Sequence, residues 1–140
     1  MILQAPGHRR FTVLVAEDDP RAREAIDVTL RGEGHCVIVA SNGRQALDMA
    51  PGSAPDLVLL DLCSSETDGL ATLRALRTLG HLAPVILLTA KATLQGAREA
   101  MVLGAYDSIA KPVDFEFVKS VIQEALEAIP QTAREAVCAH

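Results

Sequence analysis

The chain has 140 residues, a size for one domain, and 49% of them are hydrophobic, which supports a packed core and argues against global disorder. Only 3% are aromatic, so that core must be aliphatic, and a net charge of -5 with no basic run longer than Arg9-Arg10 argues against a nucleic-acid surface. No apolar run approaches the roughly 20 residues of a membrane span, and the start "MILQAPGHRRF" lacks the pattern of a signal peptide, so a cytoplasmic protein without membrane contact is expected.

The first apolar run is "FTVLVA" (11–16). Asp19 and Pro20 follow as N-cap and first-turn residues of a helix with Ala22, Ala25, Ile26, Thr29 and Leu30 at helical spacing, and Gly32 and Gly34 mark its exit. "HCVIVA" (35–40) is a second strand, and Asn42 opens a shorter helix with Ala46, Leu47 and Ala50 inward, ending near Pro51-Gly52. "DLVLLD" (56–61) is the third strand. A helix starting near Asp68, capped by it, carries Leu70, Leu73 and Leu76. "PVILLTA" (84–90) is the fourth strand, followed by a helix from about Thr93 to Leu103 with Gly104 as its stop. "DSIA" (107–110) is a weak fifth strand, placed partly by its position. A last helix starts at Asp114, buries Phe115, Val118, Val121, Ile122 and Ala125, and closes at Pro130.

Three of these runs, 11–16, 57–60 and 85–88, are almost continuously apolar, as strands buried on both faces of a parallel sheet are. Strand and helix alternate five times, so an α/β fold with right-handed crossovers and helices on both faces of a doubly wound sheet is expected. Residues 1–129 form one domain and 130–140 a short tail or the start of a linker. Cys36, Cys63 and Cys138 are odd in number and far apart, which fits a reducing compartment. His8, His35, His81 and His140 are scattered singly and are taken as surface or loop residues, not zinc ligands.

In doubly wound sheets, sites form beyond the carboxyl ends of the strands. The first strand ends in Glu17, Asp18 and Asp19, the third in Asp61, the fourth in Thr89 and the fifth in Lys111-Pro112. Each has a plainer role by itself: Asp19 as a helix cap, Thr89 as a strand end, Lys111-Pro112 as a turn. Together, however, carboxylates at one edge repel and raise one another's pKa unless a cation intervenes. A hard divalent ion with oxygen ligands, Mg²⁺, suits them better than zinc. A hydroxyl, an ammonium and Mg²⁺ around one aspartate match the oxygens of a phosphoryl group carried on Asp61.

The motifs "VLVAEDDP", "DLVLLDLCSSETDG", "PVILLTAKA" and "GAYDSIAKP", in this order and spacing, resemble the receiver domain of two-component response regulators over about residues 10 to 129. The resemblance implies a flavodoxin-like fold: a five-stranded parallel sheet of order 2-1-3-4-5 with five helices. It implies that Asp61 accepts a phosphoryl group from a sensor histidine kinase or a phosphotransfer protein, and that the module is a switch, not a turnover enzyme. Glu17 and Asp18 match the acidic pair that holds Mg²⁺, with Asp18 preferred as direct ligand. Asp61 and the backbone carbonyl of Cys63 complete the ligands. Thr89 would bond a phosphoryl oxygen and move on activation. Lys111 would pair with the group, and Lys111–Pro112 is the bond that such domains hold cis.

Three departures stand out. Ser65-Glu66 replaces a Pro-Gly pair after the phosphoacceptor. Ser108 stands where such domains carry a switching aromatic, with Tyr106 two residues earlier and expected to point elsewhere. Cys63 and Lys91 occupy the positions that tune phosphate lifetime, and neither orients an attacking water, so slow self-dephosphorylation is expected. The output is a downstream protein target or an effector domain missing from this sequence, in a monomer or weak dimer. A degenerate receiver that binds partners without phosphate is the main alternative. An aspartate-nucleophile phosphatase of the dehalogenase type would want an acid at Cys63. A nucleotide-binding domain would want a glycine-rich loop where "AEDDPR" stands.

Overall fold

The computed structural model describes residues 10–62, 66–90, 93–112 and 114–130. Along them run β1 (Thr12–Glu17), α1 (Pro20–Gly32), β2 (Cys36–Ala40), α2 (Gly43–Ser53), β3 (Leu57–Asp61), α3 (Glu66–Thr78), β4 (Val85–Thr89), α4 (Leu94–Val102), β5 (Asp107–Ala110) and α5 (Phe115–Glu127). The strands make one sheet of order β2-β1-β3-β4-β5, with every neighbouring pair parallel. This is the doubly wound, flavodoxin-like architecture expected. None of the helices among the described residues is long and apolar enough to cross a membrane.

Burial explains why the central strands read so clearly. Every residue of β3 and β4 is buried, as is all of β1 after Thr12, whereas edge strands β2 and β5 are only partly covered. Period-two alternation sends the side chains of each strand into two separate cores. Val13, Val15, Leu57, Leu59, Ile86, Leu88 and Ile109 pack with Ile26 and Leu30 of α1 and Val118, Val121 and Ile122 of α5. Leu14, Ala16, Val58, Leu60, Val85 and Leu87 pack with Ala46 and Ala50 of α2, Leu70, Leu73 and Leu76 of α3 and Ala100 of α4.

Four helices start where a side-chain cap accepts a first-turn N–H: Asp19 from Arg21, Asn42 from Gln45, Thr93 from Gly96 and Asp114 from Glu116. The third helix departs from expectation. It begins at Glu66, so Asp68 lies inside the first turn and is not the N-cap. Gly69 is explained by packing: a Cβ there would come within 2.4 Å of Leu87 Cδ1, so glycine lets α3 lie close on β4. Gly43 does the same between α2 and α3, where a Cβ would meet Thr72 Oγ1 at 2.2 Å. α2 runs past Pro51 to Ser53 and ends on Ala54 in the left-handed region, φ 45°. Of the α1 residues at helical spacing, Ile26 and Leu30 are buried and Ala25 is exposed.

His35 is also corrected. It is buried, and its Nδ1 accepts the Phe11 N–H at 3.3 Å while its ring lies 5.9 Å from that of Phe11. The ring satisfies a donor just before the β1–β2 ladder begins. Arg77, on α3, went unnoticed in the sequence. Its guanidinium donates to the carbonyls of His81, Ala83, Leu103 and Gly104 at 2.7–3.0 Å, tying the loop before β4 and the end of α4 to one side chain.

Candidate functional site

The strand order brings the singled-out residues to one edge. Glu17, the last residue of β1, stands opposite Asp61, the last of β3, in the parallel register. Asp61 in turn lies beside Leu88 of β4, and Thr89 lies beside Ala110 of β5. One further backbone bond, from Lys111 N–H to the Thr89 carbonyl at 2.8 Å, extends the ladder past β5 and anchors Lys111. The Lys111–Pro112 peptide bond is cis. By alternation, Glu17 and Asp61 continue the rows facing α1 and α5, whereas Thr89 continues the row of Val85 and Leu87, facing α3 and α4.

Glu17, Thr89 and Asp61 are 1%, 2% and 5% exposed. The Lys111 ammonium is ion-paired with Asp61 Oδ1. Glu17 Oε2 is buried and has no hydrogen-bond partner among the described residues. Burial and then the negative charge of Asp61 push the Glu17 carboxyl up to about 8; Lys111 opposes this, and hydrogen bonds with Asp18 and Asp61 add to it. Asp18 is half-buried beside Glu17, and Asp19 is exposed and occupied as the α1 cap.

This donor set is all oxygen, with one buried carboxylate oxygen unsatisfied, and it fits a hard divalent cation such as Mg²⁺. No group of three or more His, Cys, Asp or Glu side chains among the described residues is arranged to hold a metal by itself. An ion held by one or two of the carboxylates at this edge would take its remaining ligands from water or backbone, the usual habit of Mg²⁺. Beside the Asp61–Lys111 pair opens a cavity of about 240 Å³ between α1 and α5, walled by Ile26, Leu88, Pro112, Phe115 and Val118.

Cys63, Ser65 and Lys91 lie outside the described residues, as does the Glu66 side chain. Ser108 is half-buried on β5, opposite Leu87, and by alternation shares the Thr89 face. Tyr106 goes the other way. Its ring packs on the α1/α5 core and its hydroxyl donates to Glu124 Oε1 at 2.9 Å. One contact at the site was missed in the sequence: Arg23 Nη1 donates to the Glu17 carbonyl at 3.0 Å. Nothing in a single sequence marks that arginine among its neighbours.

A family model of the response regulator receiver domain matches residues 13–123. The transcriptional regulatory protein ZraR of Escherichia coli K12 is 37% identical over 119 residues, covering 85% of this chain and 27% of that protein. The probable C4-dicarboxylate response regulator DctR of Priestia megaterium is 35% identical over 118 residues, covering 83% of this chain and 52% of that protein. The chain thus spans between about a quarter and a half of the length of these relatives. Among solved structures, a Francisella response regulator receiver domain superposes with a TM-score of 0.75 at 26% identity, covering 84% of this chain and 97% of that one. FixJ-N does so with 0.72 at 28% identity, covering 86% and 96%.

Proposed function

The chain belongs to the response-regulator receiver family, and from that premise we propose that it is a phosphorylation switch in which Asp61 accepts a phosphoryl group with Mg²⁺ bound beside it. The observation that carries this reading is the buried Asp61 carboxylate at the end of a central strand, paired with Lys111 on one side and facing Glu17 on the other.

In the proposed reaction an Asp61 oxygen attacks phosphorus in line, an O–P bond forms, and the P–N bond to the donor imidazole breaks, the imidazole leaving with its electron pair and then a proton. The donor is a sensor histidine kinase or a phosphotransfer protein. Asp18, Asp61 and the Cys63 carbonyl, with Glu17 behind them, would hold Mg²⁺, which would supply charge neutralisation to the transferring oxygens. Lys111 exchanges a carboxylate partner for a phosphoryl oxygen. The Thr89 hydroxyl donates to another oxygen from the opposite side. Residues 1–129 act as the receiver unit, in the cytoplasm, as a monomer or weak dimer. The changed charge is passed to a downstream protein or to an effector domain joined to residues 130–140.

Incubating the protein with a small phosphodonor and Mg²⁺ and weighing it intact tests this. Wild type gains one phosphoryl group and Asp61→Asn gains none. No adduct on wild type defeats the phosphoacceptor reading, and an undiminished adduct on the variant defeats the assignment to Asp61. The second reading, a degenerate receiver that binds partners without phosphate, rests on Ser108 in place of an aromatic and on Tyr106 being engaged with Glu124. A wild type that takes no phosphoryl group yet still binds its partner supports it.

A further inference from the structure

We propose that Arg23 is a positioning residue for the divalent cation, an inference that rests on the Mg²⁺-dependent reading above. Arg23 is the fourth residue of α1. Its backbone N–H bonds the Asp19 carbonyl at 2.9 Å, the first turn of the helix. Its side chain turns back to the Glu17 carbonyl at 3.0 Å. One residue therefore ties both ends of the three-residue turn that carries Glu17, Asp18 and Asp19.

The tie falls where the sheet supports β1 on one side only, Glu17 still being in register with Asp61 of β3. The β1–β2 register ends at Ala16 with Ala40, one residue before Glu17. The Glu17 carbonyl belongs to the Glu17–Asp18 peptide, and the orientation of that peptide decides where the Asp18 side chain leaves the chain. A guanidinium donor makes a charge-assisted bond to this carbonyl, stronger and more directional than one to water. Fixing the peptide fixes the half-buried Asp18 beside Glu17 and Asp61. Partners one shell out from a metal's ligands act in this way, and their loss typically weakens metal binding about 10- to 100-fold.

A bystander arginine would have the opposite effect. Removing a positive charge close to an acidic cluster draws a cation in more tightly, whereas removing a positioning contact weakens it. The sign of the change in Mg²⁺ affinity thus separates the two roles.

The test is calorimetric titration of Mg²⁺ into the full 140-residue chain at pH 8 and fixed ionic strength, with thermal melting in metal-free buffer alongside. Arg23→Ala is expected to raise the Kd for Mg²⁺ about tenfold, with Arg23→Lys falling between it and wild type. In phosphorylation by a small phosphodonor, the Mg²⁺ concentration for half-maximal rate should shift by the same factor, while the rate at saturating Mg²⁺ stays close to that of wild type. An Arg23→Ala Kd equal to or tighter than that of wild type overturns the proposal, as does a lowered rate at saturating Mg²⁺. Should Arg23→Ala fail to fold, Arg23→Lys decides alone: weaker binding than wild type supports the proposal and equal or tighter binding overturns it. A wild type that takes up no Mg²⁺ defeats the metal-dependent reading first and this inference with it, whereas wild-type uptake unaltered in the variants defeats this inference only.

Discussion

Glu17 and Asp61 face each other across the β1–β3 ladder, both buried, with one positively charged group, Lys111, paired to the second of them. The pair shares its site by keeping a proton: Glu17 is pushed up to about 8, first by burial and then by Asp61. The folded protein retains this proton over a pH range where the unfolded chain has released it. The contribution to stability is therefore fully present below about 4.5 and lost as pH rises through about 8. Glu17→Gln, neutral and of the same shape, should remove that loss. In metal-free buffer it should be more stable than wild type at pH 8.5 by about 1–3 kcal/mol, with a smaller difference at pH 5. Urea unfolding at the two pH values measures this, and a difference that does not grow with pH contradicts it.

Lys111 and Asp61 should be coupled in stability as well as in function. Lys111→Met leaves Asp61 buried without its cation, and about 1–3 kcal/mol of stability should be lost at neutral pH without metal. In Lys111→Met/Asp61→Asn much of that loss should return, giving a coupling above about 1 kcal/mol in a double-mutant cycle. Simple additivity of the two changes would show that the pair contributes nothing.

The close approach of α2 to α3 predicts a compensating pair remote from the site. Gly43→Ala would be favoured by helix propensity alone, but its methyl would collide with Thr72 Oγ1, so destabilisation by about 1–3 kcal/mol is expected. Thr72→Ala removes the colliding atom, and Gly43→Ala/Thr72→Ala should be more stable than Gly43→Ala alone. Thermal melts of the three variants decide it.

Once formed, the acyl phosphate on Asp61 should persist. Neither Cys63 nor Lys91 is an acid or amide that would orient a hydrolytic water. The purified, phosphorylated protein kept in Mg²⁺ and sampled by intact mass should lose its phosphoryl group slowly, and introducing an acid or amide at position 63 should speed the loss. Rapid loss from wild type would contradict this.

What the sequence disclosed follows from how evenly each feature is spread along it. Strands β1, β3 and β4 are buried on both faces, so the residues before their polar last positions (Glu17, Asp61 and Thr89) form almost continuous apolar runs that announce themselves; β5, with one buried residue in four, is legible partly by its position alone. Asp61 was legible because it breaks an apolar run, and Glu17 and Lys111 because parallel strands deliver their ends to one edge. Asp68 misled because an acid just ahead of an apolar helical run has the composition of an N-cap, while α3 has already begun at Glu66 and Gly69 is there for contact with Leu87, 18 positions away along the chain. His35 misled because a buried histidine bonded to a backbone N–H has no local signature. Arg23 and Arg77 act through long side chains on carbonyls that any residue possesses, so their partners leave no mark in composition or spacing.

The site is mounted unevenly. Its acids are carried by β1 and β3, each hydrogen-bonded to neighbours on both sides, while its lysine hangs from the four-residue β5, which is bonded to β4 alone. A group added to Asp61 thus meets an unyielding wall on one side and a hinged one on the other. The recoil should run outward through β5 into α4 and α5, leaving β2 and α2 still, which gives the domain a preferred direction of response before any partner touches it.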